Sequence, residues 1–243
     1  MFWLRLKKLI KICRTPPFLR ALLKGTAAGV EHVAILKLVP CNFVVDLGAN
    51  RGQFSLVARH AFPSAKIIAF EPLPEPVRCF RRVFSDDPLV VLHEYALGPA
   101  QAQAEIHVSL ADDSSSLLPI SAEQSRLFPG TDERETRLIQ VKPLDAVLRP
   151  EEIETPALLK IDVQGFELPA LAGCLSLLSR FTYIYVECSF IELYRGQALA
   201  DEIIAYLREQ GFNLRGVYNL SYEAQGRAIQ GDFLFEKTIP ASS

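Results

Sequence analysis

The stretch that most constrains the fold is Phe43-Val-Val-Asp46-Leu-Gly48-Ala-Asn50-Arg-Gly52-Gln-Phe54. A short apolar run of strand-forming residues ends in a glycine turn, and the turn opens into a helical pattern. Phe54, Val57, Ala58 and Ala61 then follow the i, i+3, i+4, i+7 spacing of one helix face. A buried strand feeding a helix through such a turn is the start of a βαβ unit, and the rest of the chain repeats the alternation. Strands are expected at Ala65–Phe70, Leu89–Leu97, Leu158–Val163 and Tyr183–Cys188, with an exposed strand at Ala104–Leu110 and a further one at Leu138–Val141. Helices are expected around Val77–Phe84, Leu144–Leu148, Leu168–Leu178 and Ala198–Gln210, with Gly211 as C-cap. Phe212–Val217 and Asp232–Glu236 are joined by a linker too short for a helical crossover, so they pair antiparallel. These elements give an α/β fold, a doubly wound and mostly parallel seven-stranded sheet with an antiparallel end, plus an extra strand and a loop insertion. The insertion is the polar stretch 111–136, expected to be irregular and to cover a site.

Two segments follow from charge and proline placement, an N-terminal basic helical arm over 1–40 and the α/β domain over 41–243. Residues 1–24 hold seven basic residues and no acid, while the remaining chain carries 19 basic and 28 acidic ones. On a helix, Phe2, Trp3, Leu6, Leu9, Ile10 and Cys13 share an apolar face opposite Lys7, Lys8, Lys11 and Arg14, with Leu4 and Ile12 interrupting the polar side. Pro16-Pro17 is expected to end that helix. The arm is either an ordinary helix packed on the domain or a segment that touches an anionic membrane surface.

Composition excludes several classes. A net charge of -2 argues against a chain that binds nucleic acid through its overall field. Five cysteines without paired spacing argue against a disulfide framework or zinc knuckle and favour a reducing, cytoplasmic setting. No apolar run approaches the ~18 residues that span a bilayer.

In open α/β sheets ligands sit beyond the carboxyl ends of the strands, at the switch point. The candidate cofactor residues lie there: Asp46, Gly48, Asn50, Gly52 and Phe54 from the first turn, Glu71 and Pro72 after the second strand, and Ala96 and Leu97 after the third. A dinucleotide fingerprint needs G-x-G-x-x-G, but Asn50 stands where the second glycine belongs, so a nicotinamide or flavin cofactor is disfavoured. Asp46 suits a ligand bearing an ammonium. Glu71 lies 23 residues after Gly48, near the ~20 expected for an acid that binds ribose hydroxyls. Ala96, Leu97 and Gly98 offer a small, apolar slot for an adenine.

Together with Leu159-Lys160-Ile-Asp162-Val-Gln-Gly165-Phe-Glu167, these motifs resemble the FkbM family of S-adenosylmethionine-dependent methyltransferases, over roughly 42–235. The resemblance implies the Rossmann-like methyltransferase fold, S-adenosyl-L-methionine as cofactor, and O-methylation of sugars or polyketide-type natural products. The expected acceptor is a small molecule or glycan, lipid-linked sugars included, and not a nucleic acid.

Methyl transfer to a hydroxyl calls for a nearby base. Asp162, at the end of its strand, is the first candidate and is otherwise a cofactor or structural ligand. Glu167 is second, or a helix cap. Glu187 is a base, a substrate hydrogen-bond acceptor or part of a cation site, and Lys160 orients Asp162. Asp162 and Glu187 alone do not make a metal site. His93 is expected to be half-buried in its strand, and His32, His60 and His107 to be peripheral. Acceptor choice is assigned to 111–136 and to Tyr194, Arg195 and Tyr218-Asn219. The competing functions are a nucleotide-sugar or NAD oxidoreductase, which nicotinamide fluorescence would reveal, and a non-catalytic docking domain, against which the retained Asp46, Glu71 and Asp162 speak.

Overall fold

The computed structural model describes residues 2–238, with side chains from Lys8 onward. Three helices come first: α1 (Phe2–Cys13), α2 (Pro16–Leu23) and α3 (Val33–Leu36). There follow β1 (Phe43–Leu47), α4 (Gln53–Ala61), β2 (Lys66–Phe70), α5 (Pro74–Val83), β3 (Val90–His93), β4 (Ala96–Leu97) and β5 (Ala102–Ser109). The second half runs α6 (Ala122–Leu127), β6 (Glu133–Lys142), β7 (Ala157–Ile161), α7 (Glu167–Gly173) and α8 (Leu175–Leu178). It closes with β8 (Tyr183–Ser189), α9 (Ala200–Glu209), β9 (Phe212–Tyr222) and β10 (Ala228–Lys237).

Seven strands form one sheet in the order β3-β2-β1-β7-β8-β10-β9. The first five are parallel, and β10 runs antiparallel to both neighbours. β1 and β7 are buried at every position because helices cover both faces of the sheet. The direction of winding reverses between β1 and β7, so their carboxyl ends flank the crevice.

Strand parity divides the interior. Phe43, Val45 and Leu47 join the core under α7 and α9. Val44 joins the other core, beneath α1–α4, with Leu158 and Tyr185. Asp46 follows the parity of Val44, and Lys160 pairs with it in register. Asp162, Tyr185, Glu187 and Asp232 share that parity on their own strands. The face covered by the N-terminal segment therefore carries a line of polar side chains at its carboxyl edge.

Several expected elements change. Leu89–Leu97 is not one strand: β3 ends at His93, and Ala96–Leu97 pairs instead with Val141 and Lys142 in a small sheet of order β4-β6-β5. The stretch 111–136 is not irregular throughout, since it contains a 3₁₀ turn at Asp112–Ser114, a bridge from His107 to Ser116, α6, and the first residues of β6. The helix expected over Leu168–Leu178 breaks at Cys174. Just before the break, Gly173 lies against the Gly98 carbonyl, where a Cβ would overlap backbone.

The arm is rearranged too. The prolines do not simply end a helix; Pro16 begins α2 in its first turn, where a missing N–H costs nothing. Ile12, Phe18, Ala21, Ile35 and Leu36 are buried in the same core as β1 and α4. Leu9, Ile10 and Cys13, expected on the packed face, are exposed. The side that meets the domain carries Ile12 together with Lys11, which donates to the Val30 carbonyl at 3.0 Å, and Lys8, paired with Glu31 at 3.1 Å. The side chains of Phe2, Trp3, Leu4, Leu6 and Lys7 lie outside the described residues.

Candidate active site

A cavity of about 770 Å³ opens at the β1/β7 switch point. The turn after β1 is wrapped onto the end of β2, with the amides of Gly48 and Ala49 both donating to the Phe70 carbonyl. Gly48 has φ +76°, and a Cβ there would overlap the Asp162 carbonyl oxygen. The turns after β1 and β7 approach this closely because residue 48 is glycine. Asn50 adopts φ +46°, its side-chain oxygen accepting from the Arg51 amide at 2.7 Å. Gly52 is the N-cap of α4, packed against Phe80 and Phe84 and out of the cavity wall.

Glu71 is buried at the end of β2. Its Oε2 accepts from the Asn50 amide at 2.9 Å and its Oε1 from the Leu73 amide at 2.8 Å. Each oxygen keeps a lone pair for a ligand. Burial pushes this carboxyl up to about 7, against the pull of the two amides. Asp46 accepts from the Ser55 hydroxyl at 2.6 Å, and burial raises it to about 6 despite Lys160 nearby. Pro72, Ala96 and Leu97 also line the cavity.

At the other end stand Lys160, Asp162 and Glu187. Lys160 is fully buried, 3.1 Å from Asp162, and its ammonium lies over the rings of Phe54 and Tyr185. Burial disfavours its charge, but Asp162, Asp232 and Asp46 together hold the proton on. Burial alone would raise Asp162; the ammonium and the Gln164 amide, donating at 2.7 Å, keep it below the usual carboxylate range. Glu187 goes the other way, raised by burial and by Asp162 and Asp232. Gln164 and Gln230 each donate an Nε2–H to it, at 3.0 and 2.9 Å. Glu167 is brought near but not into the wall: its Oε1 accepts from the amides of Val163 and Gly165, pinning the turn after β7.

Sequence reasoning passed over three contributors. His32 is not peripheral; it lines the cavity, with Nδ1 3.0 Å from the Tyr185 hydroxyl and 3.5 Å from Asp232. Burial lowers its pKa, which keeps the ring neutral, although Asp232 opposes the shift. Gln164, at φ +55°, bridges Asp162 and Glu187 while its Oε1 accepts from the Tyr194 hydroxyl at 2.8 Å. The 3₁₀ turn closes one side through Asp112, which binds Arg51 by two hydrogen bonds. Of the residues assigned to acceptor choice, Tyr194 reaches Ser114 and Gln164, and Asn219 holds Asp232 at 2.7 Å. Arg195 and Tyr218 do not line the cavity. Among the described residues, no three His, Cys, Asp or Glu side chains are grouped to hold a metal ion.

A cavity at a βα switch point, with a buried carboxylate one strand over from a glycine turn, is the setting the sequence motifs implied. Residues 46–214 match the family model for the methyltransferase FkbM domain. The chain belongs to the FkbM methyltransferase family. Methyltransferase sdnD of Sordaria araneosa is 27% identical over 213 residues, 76% of this chain and 79% of its own. The 2-O-methyltransferase NoeI of Sinorhizobium fredii is 26% identical over 238 residues, 93% of this chain and 92% of its own. Among solved structures, precorrin-6y C5,15-methyltransferase of Geobacter metallireducens superposes with a TM-score of 0.47 at 12% identity, covering 85% of this chain and 86% of that one. Both His32 and Asp232 lie outside the part of the chain that the FkbM model matches.

Proposed function

We propose that this FkbM-family chain transfers a methyl group from S-adenosyl-L-methionine to a hydroxyl of a small molecule or glycan. The observation that carries the reading is the acidic wall of the cavity: Asp46, Glu71, Asp112, Asp113, Asp162 and Glu187 face a space at the switch point. Such a wall fits a ligand with a sulfonium and an ammonium better than one with two phosphates. NoeI, similar over most of its length, is named as a 2-O-methyltransferase, which supports oxygen as the acceptor atom.

When bound, the donor supplies a methyl group on a cationic sulfur, ready for in-line displacement. Everything else is positioning by the chain. The open lone pairs of Glu71 would hold the ribose hydroxyls, and Ala96 and Leu97 would hold the adenine. Asp46 and the turn from Gly48 to Asn50 would hold the amino-acid end, with Phe54 lining the same cavity. Lys160 and Gln164 hold Asp162 ionised, so that it accepts a hydrogen bond from the acceptor hydroxyl and fixes its direction. Glu187, bracketed by two glutamine amides, shapes the same subsite. A carboxylate held this acidic is a poor final home for the proton. His32 takes it on Nε2, since its Nδ1 is engaged by Tyr185 and Asp232 and its ring is neutral.

Incubating the protein with a methyl-labelled donor and fractions of sugars, glycans and secondary metabolites, then locating the label by mass spectrometry, tests the reading. Label on an ether oxygen supports it. Label on nitrogen or carbon would refute it.

A further inference from the structure

The helices α1 and α2 are apolar on two sides. Their inner side places Ile12, Phe18 and Ala21 in the core. Their outer side leaves Leu9 49%, Ile10 42%, Leu19 37% and Leu23 82% exposed. The inner residues already supply the packing that makes a helix amphipathic, and the outer leucines and isoleucine leave a large part of their apolar surface open to solvent. Leu19 and Leu23 are one helical turn apart and share a face of α2.

Charge says what covers that side. The first 24 residues carry seven basic side chains and no acid, in a chain whose remainder is strongly acidic. Lys8 and Lys11 are tied to Glu31 and to the Val30 carbonyl. Arg20, in α2, and Arg14, directly after α1, are exposed, and Lys24, the C-cap of α2, is half-buried. Cations interspersed with bulky apolar groups on a helix surface match the headgroup and upper acyl layer of an anionic bilayer. Among the described residues no helix is long and apolar enough to cross a membrane, so the contact is with the surface.

The segment α1–α2 is also part of the site. Lys8, Leu9, Ile12 and Leu22 line the cavity, and Leu9 is both in its wall and open to solvent. We propose that α1 and α2 seat the chain on an anionic membrane surface, with the cavity mouth at headgroup level, where the methyl acceptor is carried on a lipid. The docking stands on exposed residues and charge alone; the lipid-borne acceptor rests on the methyl-transfer reading above.

Flotation of the full chain with vesicles tests the docking. Phosphatidylcholine vesicles containing phosphatidylglycerol should carry the protein upward, and vesicles of phosphatidylcholine alone should leave it behind. Added salt should weaken the effect. The double variant Leu19→Glu, Leu23→Glu changes exposed positions outside the cavity wall, and should lower the partition coefficient by more than about tenfold at an unaltered melting temperature. Protein that stays at the bottom with anionic vesicles would overturn the proposal. So would equal flotation of the variant, or a dimer in light scattering that the variant abolishes without any lipid binding. Titration of the same variant with S-adenosylmethionine separates the two readings: docking lost with donor affinity kept matches the proposal, whereas a wild-type chain that docks without binding donor would sink the methyl-transfer reading alone.

Discussion

The Glu71 carboxylate, at the end of β2, accepts a hydrogen bond at 2.9 Å from the amide of Asn50, in the turn after β1. The contact ties two adjacent strand ends into one rigid corner. It also aims a buried acid, with lone pairs to spare, into the cavity. Replacing Glu71 with alanine removes charge-assisted hydrogen bonds worth about 1.5–3 kcal/mol. Donor affinity measured by calorimetry should fall by about 10- to 100-fold.

The same residue predicts a pH dependence. Its carboxyl titrates near 7 in the folded protein, raised by burial. The ionised form, present above that value, is the one that accepts from ribose hydroxyls. Affinity for S-adenosylmethionine should therefore decline as pH drops through about 7, by up to about tenfold per unit. In Glu71→Gln the affinity should be lower throughout and the decline flatter. Calorimetric titrations at several pH values read both.

Lys160 lies in β7, a strand buried at every position, and it faces Asp162 at 3.1 Å. Lys160→Met should strand the acids around it in a dry setting and cost about 3–5 kcal/mol of stability in a denaturant titration. The double variant Lys160→Met, Asp162→Asn should recover part of that loss. If the single variant is as stable as the parent, the ammonium is not what holds Asp162 ionised.

His32→Gln should leave donor affinity unchanged but lower kcat by about 10²- to 10⁴-fold on an acceptor found by the labelling screen. In the parent, the acid limb of the pH–rate profile should lie below 6.5, because burial depresses His32. Asp232, Lys160, Glu31 and Asp162 act on the ring, and Lys8 acts through Glu31. Asp232→Asn removes a charge that favours the imidazolium, and should move that limb lower still. A limb unmoved in Asp232→Asn would argue for a different proton acceptor.

What could be read from the chain was what is local in it. The strand–turn–helix from Phe43 to Ala61, the acid after the second strand, and Asp162 at a strand end are set by residues a few positions apart. The antiparallel end followed from a linker length. The His32–Asp232 pair joins segments 200 residues apart, and no periodicity marks such a partner. The same holds for Gln230, which reaches Glu187 across the β8–β10 pairing. The split after His93 depended on β6 offering Val141 and Lys142 as an alternative edge. In α1 helical spacing marked one apolar face and took Ile12 for an interruption of the polar side, whereas the core takes Ile12 and leaves Leu9, Ile10 and Cys13 exposed.

Titration of the intact chain with S-adenosylmethionine in a calorimeter tests the central claim most directly. A single site per chain is predicted, with heat that disappears when the cavity is pre-filled by S-adenosylhomocysteine. A folded protein that gives no heat with either compound, and no shift in melting temperature, would contradict the assignment of the cavity to the methyl donor.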